Sequence, residues 1–352
     1  MPQPKRVLLT GHQGYIGAVM GPFLESKGYD VVGLDTGYFD ECNLTPDTYT
    51  FPTIRRDIRN LLPQDVAGFD AIVHLAALSN DPIGNMVESW TEDINHKASV
   101  RLAELAIDAG VSRFLFSSSC IMYGMSSTNE VNEDSPLAPQ TEYARSKVKT
   151  EDALREMAND SFSPTCLRNG TIYGISPHMR FDTVLNSLVG LAYTTKKVIV
   201  QSDGKPWRPV IHVSDVARSF EQVLRSPIED VHNQAFNNGA DHLNHQVIEL
   251  ANIAVEAVPG SSIEVRADAS ADQRTYKASF AKFAKTFPDF EWKFNARTGA
   301  QELADTFARI NLSSEDFTGP RFTRLKWLQR LLEGGVLDSD LRWAQPTAEV
   351  SK

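Results

Sequence analysis

Three glycines, Gly11, Gly14 and Gly17, follow the apolar run VLLT and open a segment of helical periodicity near Tyr15 and Ile16. Glycine at these steps permits a tight turn, close approach of a diphosphate to the backbone, and close packing of a helix on a strand. The helix N-terminus beyond them offers free amides and the positive end of its dipole to an anion. Asp35, eighteen residues past Gly17, ends the next apolar run, YDVVGLD, where a carboxylate can accept both hydroxyls of a ribose. The unit predicts a dinucleotide-binding crevice; a purely structural turn with a strand-ending Asp is the competing reading.

The runs RVLLT, YDVVGLD, FDAIVHLAA and VSRFLFSSS are continuously apolar rather than alternating, the mark of strands buried on both faces of a parallel sheet. Helix-like segments at 15–27 and 90–109 separate them, the second with Ala98, Leu102, Leu105 and Ala109 on one face and Gly110 as its stop. The pattern predicts a Rossmann-type, doubly wound parallel α/β sheet with a smaller C-terminal substrate-binding lobe. At 352 residues there is chain for about two units. We expect the sheet domain at 1–175, with strands near 205–240 returning to it, and mainly the second lobe and a helical cap at 176–352. The boundary follows the clustering of Pro and Gly in GISPHMR and SDGKPWRP; NQAFNNG at 233–239 again reads as a buried strand and turn. The stretch RLKWLQRLLEGGVLDSDLRW carries Leu and Trp at helical spacing and is expected to pack on the body.

Composition narrows function by exclusion. Lys plus Arg number 35 against 45 Asp plus Glu, and the net charge of −10 disfavours a protein that grips nucleic acid or an anionic membrane over its surface. Cys42, Cys120 and Cys166 have neither zinc nor disulfide spacing, so no metal is expected and the cytoplasm is the natural compartment. Gly11, His12 and Gln13 break the first apolar run before it could serve as a signal segment, and no run reaches the roughly 18 residues of a membrane span.

Asp35 selects the cofactor. Its charge would repel a 2′-phosphate and no Arg or Lys follows in DTGYFDE, so NAD is favoured over NADP. Asp57 and Ile58 fall where a third strand would end, placing a carboxylate and an apolar side chain at an adenine; a helix cap at Asp57 is the other reading. Farther on, Tyr143 and Lys147 in TEYARSK stand four apart, on one face of a helix, so the ammonium can favour the phenolate. Ser119, closing the strand FSSS, can share a proton with the same substrate hydroxyl.

Taken in order, TGHQGYIG, Asp35, Asp57–Ile58, HLAALS, Asn95, SSSCIMYG, YARSK, LRNGTIYG and RPVIHVSD resemble the extended short-chain dehydrogenases/reductases of the NAD-dependent epimerase/dehydratase family, over about residues 5–285. The resemblance implies action on a nucleotide diphosphate sugar, with Ser119, Tyr143 and Lys147 as the catalytic set and Lys147 also on the nicotinamide ribose. It implies that Leu75, Ala76, Ala77, Ser79, Asn95 and Ser117 belong to the cofactor channel. Arg208 matches a family arginine at the nucleotide end, flanked by Asn186 and Asp272, and the helices around 90–109 and 141–158 would pair in a homodimer.

Two departures bear on the reaction. Dehydratases of the family carry an Asp–Glu pair where this chain has Cys120 and Ile121, which disfavours acid-assisted 4,6-elimination. Thr171, near Asn169, stands where relatives place a substrate-contacting Asn. Cys120 reads either as an acid/base, as a cysteine near this position is in some sugar epimerases, or as a small buried residue. Arg180 is a candidate anion contact, and Asn80 and Asp81 either reach the sugar or start a helix before Pro82. His178, Asp182, Arg274, Arg321 and Arg324 are left without an assignment. The expectation is an NAD-dependent nucleotide-sugar epimerase; the alternatives are a net dehydrogenase, reductase or dehydratase of a sugar or polyol, and a non-catalytic NAD-sensing scaffold.

Overall fold

The computed structural model describes residues 4–45, 49–79, 86–125, 130–266 and 275–344. Twelve strands are described: β1 (Arg6–Thr10), β2 (Asp30–Asp35), β3 (Thr53–Arg55), β4 (Ala71–His74), β5 (Arg113–Ser119), β6 (Ser163–Asn169), β7 (Thr171–Tyr173), β8 (Lys197–Val200), β9 (Trp207–His212), β10 (Gln234–Asn238), β11 (Asn244–Gln246) and β12 (Ser262–Val265). Seven of them form one sheet in the order β10-β6-β5-β4-β1-β2-β3, every pairing parallel. Strand order reverses between β1 and β4, the switch point at which the loops diverge and leave a crevice at the carboxyl ends.

The continuous apolar runs arise because both faces of this sheet are covered. Val7, Leu9, Val31, Val73 and Leu115 face α1 (Gly17–Ser26) and a later helix at Val213–Arg225, while Leu8, Val32, Leu34, Ile72 and Phe114 face α2 (Ala98–Asp108) and α3 (Glu142–Met157). The outward sides of α2 and α3 show Arg101, Glu104, Asp108, Lys149, Asp152 and Arg155.

Of α4 (Val184–Thr195) and α5 (Val213–Arg225), α5 packs mainly on the sheet and only its Val213 reaches the second lobe, which is built on α4 with α6 (Val247–Ala257) and α7 (Ala296–Arg309). A parallel pair, β8 with β12, and a three-stranded sheet, β11-β9-β7, flank these helices. Of the strands expected to return near 205–240, β10 joins the central sheet and β9 does not: it pairs with β7 and β11. The closing helix, α8 (Arg324–Glu333), packs on the sheet domain, where Trp327, Leu328, Leu331, Leu337 and Leu341 join Trp90, Ile94 and Leu102 in one apolar cluster. No helix among the described residues is long and apolar enough to cross a membrane.

Candidate active site

The cleft lies over the carboxyl ends of β1, β2, β4, β5 and β6. At its floor Gly11 has φ of +73°, and a Cβ there would stand 2.7 Å from the Ala76 amide nitrogen. A Cβ on Gly17 would meet the Gly11 carbonyl oxygen at 2.3 Å, so the close seating of α1 on the turn requires glycine. No side chain caps the N-terminus of α1, and no acidic residue lies in its first turn. Gly14, Tyr15 and Ile16 line the cleft beside it. The Tyr15 hydroxyl donates to the Gly174 carbonyl (2.6 Å) and accepts from Asn186 Nδ2 (2.9 Å), tying the turn to the second lobe.

Asp35 sits on the wall at the end of β2, its carboxylate accepting the amides of Gln13 (3.0 Å) and Gly37 (2.9 Å). Asp57 makes the expected cap and also stands on the cleft wall. It caps the turn Ile58–Asn60 through the Arg59 amide (2.8 Å) and pairs with the Arg59 guanidinium (2.5 Å), yet it and Ile58 line the cleft.

Leu75, Ala76, Ala77 and Ser79 form the wall after β4. Beneath them Thr10 Oγ1 bonds His74 Nδ1 (2.7 Å), and His74 Nε2 bonds Ser99 Oγ (2.7 Å). Burial pushes the His74 pKa down to about 3, so this chain of bonds is neutral. Asn95 is a correction. Its side chain accepts from the Leu78 amide (2.8 Å) and donates to the Leu78 carbonyl (3.0 Å), so it clamps the loop from behind and does not line the cleft.

At the end of the cleft beside β5, Thr141 caps α3 by accepting from the Ala144 amide (3.2 Å), which fixes the first turn that carries Tyr143. One turn on, Lys147 Nζ donates to the Ser117 carbonyl (2.7 Å) and lies 5.6 Å from the Tyr143 ring centroid. Burial pushes its pKa down to about 7. Ser119 Oγ accepts from the Ile121 amide (3.3 Å), and Ser117, Ser119, Tyr143 and Lys147 share the cleft surface. Asn169 also lines it, but its amide is committed to Ser117 Oγ and the Ser118 carbonyl, both at 3.1 Å, and its oxygen to Asn238.

Cys120 is a second correction. Its thiol donates to the Arg168 carbonyl (3.0 Å) and sits fully buried with Tyr123, Val131 and Phe280, while Ile121 takes the cleft side of the same short turn. Burial pushes the thiol pKa up, away from a working acid or base.

Toward the second lobe the cleft is lined by Thr171, Arg180 and Arg208. Arg180 is held by Asp182 through two bonds (2.8 and 3.1 Å) and donates to Ser79 Oγ (2.9 Å). Arg208 donates to the Trp207 carbonyl (2.9 Å). Asn186 is the third correction: fully buried, it accepts from the Gly174 amide (3.0 Å) and donates to Tyr15 and to the Arg180 carbonyl, so it braces the lobe junction rather than facing the cleft. Asn80, Asp81, Asp272 and Arg274 lie outside the described residues. His178 is buried and Arg321 binds the Glu41 and Asn43 carbonyls, and neither lines the cleft. Tyr38, Phe39, Arg56 and Tyr276 line the cleft and escaped the sequence reading, and Arg324, which the sequence left without an assignment, lines it too. In the structure Arg324 opens the helix that buries Trp327, Leu328 and Leu331. Among the described residues no three His, Cys, Asp or Glu side chains are grouped to hold a metal ion.

Residues 7–239 match the family described as NAD dependent epimerase/dehydratase. The chain is 26% identical over 337 residues to UDP-glucose 4-epimerase of Bacillus subtilis (strain 168), an alignment that spans 84% of this chain and 94% of that protein. It is 25% identical over 281 residues to dTDP-D-glucose 4,6-dehydratase of Mus musculus, covering 76% and 77% respectively. Among solved structures it resembles MoeE5 in complex with UDP-glucuronic acid and NAD, with 26% identity and a TM-score of 0.72 over 86% of this chain and 99% of that one.

Proposed function

The chain belongs to the NAD-dependent epimerase/dehydratase family, of the extended short-chain dehydrogenase/reductase type, and from that premise we propose that it is a nucleotide-sugar epimerase. The reaction is transient oxidation of a sugar hydroxyl to a ketone, followed by re-reduction from the opposite face. The observation that carries this reading is the makeup of the catalytic end: a Tyr143–Lys147 pair and Ser119 face a cleft into which Ile121, rather than an acid, projects. Among the described lining residues the carboxylates are Asp35 and Asp57, both at the β2–β3 end, so elimination of water lacks an acid beside the base.

The cleft fits a dinucleotide: glycine at Gly11 and Gly17 leaves a cradle that a Cβ would fill, the α1 N-terminus is uncapped, and Asp35 ends β2. When bound, NAD supplies a reversible hydride acceptor beside the sugar carbon. Tyr143 takes the proton of the hydroxyl being oxidised and later returns it. Lys147, brought near neutrality by burial and fixed on the Ser117 carbonyl, favours the phenolate when protonated and orients the ribose. Ser119 holds the substrate oxygen. Arg208 meets the sugar nucleotide's diphosphate, because a guanidinium fork donates to phosphate oxygens in pairs. A cytoplasmic homodimer completes the reading, and light scattering checks its size.

The test is turnover of a panel of UDP- and dTDP-sugars in heavy water, followed by NMR, mass and absorbance at the NADH band. Inversion at one carbon, with no solvent deuterium there and no NADH released, is expected, because the buried Cys120 cannot exchange a C–H hydrogen. Stoichiometric NADH would replace the epimerase by a dehydrogenase. Loss of water from the product would replace it by a dehydratase, and NAD binding without any turnover would favour the scaffold reading.

A further inference from the structure

Arg324, the first residue of α8, is only 4% exposed and lines the same cleft as Gly14, Ile16 and Asp35. Its Nη2 donates to the His178 carbonyl (3.1 Å), and its guanidinium carbon lies 4.1 Å over the Phe39 ring. Its Nη1 is buried with no hydrogen-bond partner; among the described residues Asp182 and Asp35 act on the guanidinium through charge without bonding that nitrogen. A buried cation left this way is costly relative to a paired one. Its neighbour Arg180 differs, being neutralised by Asp182. Burial first, and repulsion from Arg180 second, push the Arg324 pKa down to about 10, so it is still charged at neutral pH. The site is therefore short of one anion.

The position of α8 decides which anion. Trp327 Nε1 donates to the Tyr38 carbonyl (2.7 Å) and Trp343 Nε1 to the Thr36 carbonyl (2.8 Å). The Leu341 carbonyl accepts from Arg59 (2.9 Å) and from the Tyr38 hydroxyl. All of these contacts fall just beyond β2 and β3, on the side of the cleft where Asp35 and the glycine turn stand.

We propose that Arg324 binds the diphosphate of the dinucleotide through its free Nη1, which makes the start of α8 part of the cofactor site. This rests on the NAD reading but not on the epimerase reaction. The sugar nucleotide carries the same chemical group, so the experiment separates the two sources. Calorimetric titrations compare wild type with Arg324→Met and Arg324→Lys, using NAD, ADP-ribose and adenosine on ligand-free enzyme and UDP on NAD-saturated enzyme. Melting temperatures are read in parallel.

Arg324→Met is expected to weaken NAD and ADP-ribose about 10- to 100-fold, as loss of a hydrogen bond to a charged group does, while leaving adenosine and UDP unchanged. Arg324→Lys restores part of the loss. The ligand-free Arg324→Met protein melts at or above the wild-type temperature, because an unsatisfied charge has gone. Unchanged NAD affinity in Arg324→Met overturns the proposal. So does weakened UDP with unchanged NAD, which moves Arg324 to the substrate's diphosphate. A lower ligand-free melting temperature with an undiminished NAD-induced shift reduces Arg324 to a strut under His178. A wild type that binds neither NAD nor ADP-ribose defeats the cofactor reading itself, before any variant is compared.

Discussion

In the half of the cleft proposed for the cofactor, the lining groups are set by strand ends and a helix terminus: Gly11, Gly14 and Gly17 after β1, Asp35 closing β2, Ala76 and Ala77 after β4. In the half proposed for the substrate the polar groups ride on long side chains from separate loops and strands, Arg180, Arg208 and Tyr276. The first kind of site constrains residue type at fixed spacing, since only glycine tolerates a backbone approach such as that of Gly11 to Ala76. The second constrains only where a flexible side chain ends up. One fold can therefore keep its cofactor while its substrate changes.

Variants on either side of that divide test whether it is real. The largest effect is expected for Tyr143→Phe, with kcat lower by about 10²–10⁴-fold and NAD affinity retained, since only the proton acceptor is removed. Equal loss of NAD binding in a titration would fold the base into the cofactor half. Asp35→Ala is expected to weaken NAD by about 10- to 100-fold and to narrow its advantage over NADP, with the KM for the sugar nucleotide unmoved. Arg208→Ala is the mirror case. Its KM for the sugar nucleotide rises roughly tenfold and its NAD affinity stays, and a coupled change in both constants would erase the boundary.

Lys147 sharpens the comparison through pH. Its folded pKa of about 7 lies below the ordinary 10.5, so between those values the unfolded chain binds more protons and stability rises with pH. The contribution is present in full at high pH, falls by up to about 1.4 kcal/mol per unit as pH drops toward 7, and levels off below it. Urea unfolding of ligand-free protein from pH 7 to 9.5 should show this slope, and Lys147→Met should flatten it. A slope unaffected by the substitution would assign it to other groups. The smallest effect is expected for Cys120→Ala: kcat within about twofold and a stability loss of about 1–2 kcal/mol from a small core void. A large drop in turnover would return the thiol to the cleft.

Legibility followed how local each feature is, and not which half of the cleft holds it. The parallel sheet, the glycine turn, Asp35 and the Tyr143–Lys147 face could be read because strand burial and helical period are local properties. Cys120 was open to two readings because it and Ile121 occupy one short turn, and which of them faces inward depends on packing against Val131 and Phe280. Asn95 and Asn186 fit the family pattern but spend their amides on Leu78 and Gly174, a distinction no sequence spacing carries. Arg324 reaches the cleft only through the docking of α8.

That docking also has an order in time. The Tyr38 hydroxyl meets its partner, the Leu341 carbonyl, 303 residues later in the chain, and the Tyr38 carbonyl waits 289 residues for Trp327. At roughly 5–20 residues per second, a ribosome needs about 15–60 s to travel that distance. During this interval the glycine turn and β2 can form while Tyr38, Ile94 and Leu102 still lack the apolar cover of α8. Nascent chains of this protein should therefore expose a sticky patch until synthesis has passed Leu341, and acquire firm dinucleotide binding only afterwards.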